Sequence, residues 1–282
     1  MTQRVMLCFG TRPEAIKMAP VVVELRRRSG IDVTVCVTGQ HRQMLDQVLD
    51  VFDVKPDIDL AVMKAGQSLH ELTANILGSL APVLTKLRPD LVLVHGDTTT
   101  AFASSLAAYY GQIDVGHVEA GLRTFNRYSP WPEEMNRKLV GSLACMHFAP
   151  TLRASENLLH EGISPSSIHI TGNTVVDALL AIRERVQGDV ELASSLREHF
   201  SFLDPKARLI LVTAHRRESF GTGFESICKA MARLADRTDV QIVYPVHLNP
   251  TVREPVFRLL RGHSNIHLIE PVDYLQFVYL LD

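Results

Sequence analysis

Short runs of β-branched and other apolar residues alternate along this chain with longer stretches in which apolar positions recur every three to four residues. The short runs are Val5-Met6-Leu7-Cys8-Phe9, ending at Gly10, and Val33-Thr34-Val35-Cys36-Val37, ending at Gly39. Leu91-Val92-Leu93-Val94 leads into His95-Gly96-Asp97, and Val115-Gly116-His117-Val118 stops at Glu119. His147-Phe148-Ala149 stops at Pro150, and Ile168-His169-Ile170 is followed by Thr171-Gly172-Asn173. Helical periodicity occupies residues 13–28, 43–52, 68–87, 98–110, 133–146 and 152–161. Strands that are continuously apolar predict a parallel sheet covered on both faces. Their regular alternation with helices predicts a doubly wound α/β domain.

A second series follows. A helix over 175–186 leads into polar, helix-prone sequence around Gln187-Gly188-Asp189. Strands are then expected at 209–213, 241–244 and 266–269, with helices at 224–235, 251–260 and 274–281. The expected fold class is α/β with two Rossmann-like domains facing each other, the first over residues 1–173 and the second over 174–282. Three strands make a meagre Rossmann sheet, and Phe277-Val278-Tyr279-Leu280-Leu281 is an apolar helical stretch with no C-cap signal after it. The second domain is therefore read as partial and the chain as a fragment.

Composition narrows the classes. Of 282 residues, 46% are hydrophobic and 21% charged, and the formal net charge is −2, as in an ordinary globular protein. A nucleic-acid footprint would need a clustered basic excess. The densest basic run, Arg26-Arg27-Arg28, closes a predicted helix, where cations meet the helix dipole. No nucleic-acid partner is expected. The four cysteines, Cys8, Cys36, Cys145 and Cys228, show no C-x-x-C spacing, and a reducing compartment fits them. Without a signal pattern or an apolar run of membrane-spanning length, no membrane partner is expected and the reading is cytoplasmic. Neither an H-E-x-x-H motif nor a His/Cys cluster occurs, so no metal is expected, and G-x-S-x-G is missing.

The candidate chemistry sits where strands end. Asp97, Glu119 and Glu133 lie at or just past such ends, within His95-Gly96-Asp97-Thr98-Thr99-Thr100, His117-Val118-Glu119-Ala120-Gly121-Leu122-Arg123 and Pro130-Trp131-Pro132-Glu133-Glu134-Met135-Asn136-Arg137. Acids gathered at one rim repel each other and raise each other's pKa, which suits groups that move protons. Asp97 could equally be a plain N-cap, and Glu133 and Glu134 could be dipole partners in a first helical turn. Gly10-Thr11-Arg12-Pro13-Glu14-Ala15-Ile16-Lys17 combines a turn glycine, a helix N-terminus, an Arg and a Lys, a set that suits a phosphate-bearing anion. An ordinary capped turn with solvated cations is the alternative. In the second domain His215 with Arg216 is placed to meet a diphosphate, and His247 is either a site residue or a satisfied loop histidine.

These motifs, with Tyr128-Ser129-Pro130-Trp131-Pro132-Glu133-Glu134, Ile170-Thr171-Gly172-Asn173-Thr174 and His215-Arg216-Arg217-Glu218, resemble the bacterial non-hydrolysing UDP-N-acetylglucosamine 2-epimerases over nearly the whole chain. The resemblance implies a glycosyltransferase-B type of fold, a UDP-sugar substrate, no cofactor and a homodimer. It implies epimerisation at C2 by elimination and re-addition of UDP through a 2-acetamidoglucal. Matching positions make Asp97, Glu119 and Glu133 the acid/base set, with His215 assisting at the phosphates. Arg12 and Lys17 would hold the UDP-sugar, and Val272 and Phe277 would flank the uracil. Gln40, Gln43 and His247 match a second, activating UDP-sugar site of some members, where Gly66 replaces an Arg. Glu134 and Arg216 are candidates for supporting roles. The family's Ser-Gly-Gly turn and following Glu are not in this sequence, so weak UDP binding is expected. A hydrolysing epimerase, a glycosyltransferase and an inactive fragment are the alternatives.

Overall fold

A computed structural model describes residues 2–39, 42–64, 66–213 and 222–282. The chain divides into two compact units, Met1–Ala181 and Ile182–Asp282. The division falls inside a helix, beyond the boundary at 173 expected from the sequence.

The first unit carries β1 (Gln3–Phe9), α1 (Arg12–Arg27), β2 (Ile31–Val37), α2 (Arg42–Val51), β3 (Ile58–Asp59), α3 (Leu69–Leu87), β4 (Leu91–His95) and α4 (Thr99–Tyr110). It continues with β5 (Asp114–Val118), α5 (Glu133–Leu143), β6 (Met146–Ala149), α6 (Leu152–His160), β7 (Ile168–Ile170) and the start of α7 (Thr174–Gly188). Its seven strands lie in the order β3-β2-β1-β4-β5-β6-β7, every neighbouring pair parallel. β1 is buried from Val5 to Phe9 and β4 along its whole length. Burial on both faces is why these strands read as unbroken apolar runs. Met6, Cys8, Cys36, Val92 and Val94 pack with Leu80 and Leu84 of α3 and Ala101 and Ala108 of α4 in one core cluster. Cys8 and Cys36 stand opposite each other in register, both as free thiols, and act as small core side chains.

The strand order reverses between β1 and β4, because β1 is followed in sequence by β2 on one side while β4 flanks it on the other. The crevice outside the carboxyl ends of strands at such a switch is where an open α/β sheet binds ligands.

The second unit holds the rest of α7, then α8 (Val190–His199), β8 (Arg208–Leu211), α9 (Thr222–Ala235), β9 (Val240–Pro245), α10 (Pro250–Leu260), β10 (Ile266–Ile269) and α11 (Tyr274–Leu281). Its strands pair in parallel in the order β10-β9-β8. Ile242 and Tyr244 of β9 anchor a core with Phe224, Cys228 and Met231 of α9 and Val252, Val256 and Leu260 of α10. Helix α8 is distinct from α7, whereas the sequence reading gave a helix over 175–186 and only helix-prone sequence around Gln187-Gly188-Asp189 after it. Asp189 starts it by accepting from the Leu192 N–H (3.0 Å), and only Leu196 within it is buried. With so little apolar periodicity there was little pattern to read. Among the described residues no helix is long and apolar enough to cross a membrane.

Candidate active site

The turn after β1 comes first. Gly10 passes so close to the end of β2 and the start of α4 that a Cβ there would lie 2.0 Å from Thr38 Oγ1 and 2.7 Å from Thr100 Oγ1. Only glycine fits. Thr11 caps α1 in a capping box with Glu14. The Glu14 carboxylate accepts from the N–H groups of Gly10 (3.1 Å) and Thr11 (2.8 Å) and from Thr98 Oγ1 (2.7 Å), which ties the turn after β1 to the turn after β4. Burial raises the Glu14 pKa against the pull of the Thr98 and Thr11 side chains and the two amides. The turn is therefore a capped one, with its amides engaged internally. Arg12 is half-buried, and its side chain makes no hydrogen bond or ion pair with any other described residue.

After β4, Gly96 turns with a φ of +64° and the N-cap of α4 is Thr98, whose Oγ1 accepts from the Ala101 N–H (3.0 Å). Asp97 is thus not the cap, and its side chain is left for other work. That side chain pairs with Arg137 of α5. Asn136, the preceding residue, donates from Nδ2 to the Asp97 carbonyl (2.9 Å). Burial raises the Asp97 pKa; Arg137 opposes the rise, while Glu133 and Glu119 add to it by repulsion. Glu133 and Glu119 therefore both lie within electrostatic reach of Asp97.

After β5, Glu119 sits in the left-handed region at φ +62°. A non-glycine residue held there is uncommon and marks a position the surroundings over-determine. Lys17, one turn into α1, places Nζ 2.8 Å from Oε1 and 2.6 Å from Oε2 of Glu119, and Asn173 donates to Oε2 at 2.5 Å. Burial pushes the Glu119 pKa up, but its partners reverse that and leave it below the usual carboxylate range. His95 lies 3.8 Å from Glu119 Oε1, yet burial holds its pKa down to about 4, so it is neutral near pH 7. Near pH 7 the cation held against Glu119 is thus Lys17. Beneath them, His117 donates from Nε2 to the Gly96 carbonyl (2.7 Å), and burial lowers its pKa to about 3.

Helix α5 brings the third acid. Glu133 opens it, preceded by cis peptides at Ser129–Pro130 and Trp131–Pro132. Glu134 is fully buried and accepts from the N–H groups of Thr124 (3.0 Å) and Phe125 (2.9 Å), fixing the loop between β5 and α5. Arg123 anchors that loop elsewhere, by a two-pronged pair with Glu161 (2.9 and 2.6 Å). Three buried polar atoms at this rim have no hydrogen-bond partner among the described residues: His95 Nε2, Glu133 Oε2 and Arg137 Nε. No group of three or more His, Cys, Asp or Glu among the described residues is arranged to hold a metal ion.

Of the residues singled out by sequence, Asp97, Glu119, Glu133 and Lys17 converge on one rim, with Glu134 supporting it from below. Arg12 lies at the neighbouring turn. Val272 and Phe277 belong to the second unit and are half-buried, Val272 against the cluster of Phe200, Val243 and Leu280. His247 is exposed, and its Nδ1 accepts from the Asn249 N–H (3.1 Å), in the loop entering α10. Gln40, His215 and Arg216 lie outside the described residues, as does the side chain of Gln43. Sequence reasoning passed over Arg137, His95 and Asn173. Arg137 had a usable signal, since its place three and four residues after Glu134 and Glu133 puts it on their side of α5.

The family model for UDP-N-acetylglucosamine 2-epimerase matches residues 23–282. The UDP-N-acetylglucosamine 2-epimerase of Escherichia coli K12 is 57% identical over 280 residues, covering 99% of this chain and 74% of that protein. The Yersinia pestis enzyme of the same name is 56% identical over 280 residues, with the same coverage of 99% and 74%. The crystal structure of UDP-GlcNAc 2-epimerase from Neisseria meningitidis bound to UDP-GlcNAc matches with a TM-score of 0.91 at 51% identity, covering 99% of this chain and 75% of that one. The fold class is the one expected, α/β with parallel sheets of the glycosyltransferase-B type. This chain belongs to the UDP-N-acetylglucosamine 2-epimerase family.

Proposed function

We propose that this chain interconverts UDP-N-acetylglucosamine and UDP-N-acetylmannosamine without hydrolysis. The C2 proton of the sugar is too weakly acidic for simple removal and return. Elimination avoids the problem. A base takes the C2 proton, the C–H electrons form the C1–C2 double bond, and the C1–O bond breaks to release UDP from an enzyme-held 2-acetamidoglucal. Re-addition protonates C2 from the other face while a UDP oxygen reattaches at C1. The scheme needs one group able to take a proton, another able to give one, and stabilisation of the departing diphosphate.

The observation that carries this reading is the gathering of Asp97, Glu119 and Glu133 at one rim, with Asp97 and Glu119 driven apart in proton affinity. Titratable neighbours pushed in opposite directions are the usual mark of an acid/base pair. The unpartnered buried atoms of His95, Glu133 and Arg137 suit a polar sugar, since leaving each unsatisfied costs about 1–3 kcal/mol. In this reading Arg12 meets the UDP-sugar, Lys17 keeps Glu119 charged beside it, and His215, Val272 and Phe277 serve the nucleotide by their match to the family's motifs. A cytoplasmic homodimer supplying polysaccharide biosynthesis accompanies the reading on the family resemblance alone.

Turnover in D2O tests it: recovered substrate and product should both carry deuterium at C2. Product formed with C2 fully protiated would sink the elimination route, and free N-acetylmannosamine in place of its UDP conjugate would transfer the chain to the hydrolysing class.

A further inference from the structure

Helix α5 does more than deliver Glu133. Arg137, only 11% exposed at its side chain, faces two ways. One terminal nitrogen, Nη2, is paired with Asp97 Oδ2. The other, Nη1, lies 3.4 Å from Glu134 Oε2 and donates to the Leu122 carbonyl at 3.4 Å. Glu134 in turn accepts the Thr124 and Phe125 amides. A continuous polar path therefore runs from the Asp97 carboxylate through one guanidinium to the backbone at 122, 124 and 125. This loop carries Phe125, Tyr128 and Trp131, each more than 60% exposed. Asn136 holds the Asp97 backbone from the same helix.

We infer that Arg137 is a positioning residue for the reaction: it fixes the Asp97 carboxylate and couples its placement to the aromatic loop between β5 and α5. A guanidinium suits this task because its planar fork holds two acceptors in fixed directions, which a lysine ammonium does not. Its charge has a second effect. The charged groups facing Asp97 are Arg137 and Glu133 from α5 and Glu119 after β5, the last already paired with Lys17 from α1. Without Arg137, Asp97 would face two acids and no cation of its own, and would hold its proton to higher pH.

The inference rests on the epimerase reading and is tested beside it. In Arg137→Met, kcat should fall about 100-fold, the scale of a misplaced reacting group, and the pH limb governed by Asp97 should move upward. Arg137→Lys restores the charge but not the fork, so the limb should return toward the wild-type position while kcat stays at least tenfold down. Wild-type kcat in Arg137→Lys, or an unmoved limb in a folded Arg137→Met, overturns the inference. Should Arg137→Met fail to fold by circular dichroism, the lysine variant decides alone, on its kcat. Deuterium exchange at C2 in the unmodified protein is measured in parallel. Its absence removes the epimerase reading itself, whereas exchange accompanied by indifferent Arg137 variants removes only the role given to Arg137.

Discussion

Asp97 and Glu119 end neighbouring parallel strands, are both partly buried and both have a cation alongside, yet their proton affinities move in opposite directions. The difference lies in the company each keeps. Glu119 has His95 nearby, Lys17 against both oxygens and a further hydrogen bond from Asn173, and together they outweigh burial. Asp97 has Arg137, but it also has Glu133 and Glu119 to repel it, and burial prevails. A single added cation does not decide a buried carboxylate; the sum over donors and neighbouring charges does. Two acids of similar intrinsic strength can thus be set to different tasks at the ends of neighbouring strands.

The contrast can be broken most severely by removing either charge. Glu119→Gln and Asp97→Asn should each lower kcat by between about 10² and 10⁴, while circular dichroism and melting temperature show the fold retained. Turnover within threefold of wild type in either variant would detach that acid from the chemistry. Lys17→Met should have the next largest effect. It strips Glu119 of its cation, so the carboxylate protonates at higher pH, and the acid limb of kcat/KM should move upward with a loss of at least tenfold at neutral pH. An unmoved limb would mean that His95 and Asn173 suffice.

Glu14 supplies a quieter control, a buried acid a short way from the other two whose role is structural. Its folded pKa is raised, so its contribution to stability is complete below the unfolded carboxylate value near 4.5 and declines as pH rises through the folded value. Glu14→Gln should flatten that decline in denaturant titrations above pH 4.5, at a cost of about 1–2 kcal/mol in lost hydrogen bonding. The smallest effect concerns the histidines below the site. His117, held near 3, binds protons more readily unfolded, so its stabilising effect is whole above about 6.5 and lost as pH falls toward 3. His117→Gln should lessen acid sensitivity in that window, and an unchanged acid slope would assign the sensitivity elsewhere.

Much of this was legible in the chain. Apolar runs that ended abruptly in polar signatures marked the strand ends, so Asp97 and Glu119 could be placed at the rim before any coordinates. What pattern could not supply was pairing. Lys17 was read toward an incoming anion, but a lysine one turn into α1 reaches across to an acid two strands away, and sequence separation hides that meeting. The candidate N-cap role of Asp97 passed to Thr98, a choice between adjacent cap-forming residues that depends on where the helix dihedrals begin. Helix α8 escaped because its buried content is nearly confined to Leu196.

The turn after β1 has one more consequence. Exposed amides at the mouth of a helix ordinarily welcome phosphate oxygens, but here the molecule has supplied its own tenant, since Glu14 already engages the N–H groups of Gly10 and Thr11. A pyrophosphate arriving on this side would find that berth taken. It would have to be gripped by a side chain instead, and Arg12, uncommitted to any described neighbour, is the guanidinium standing at that door.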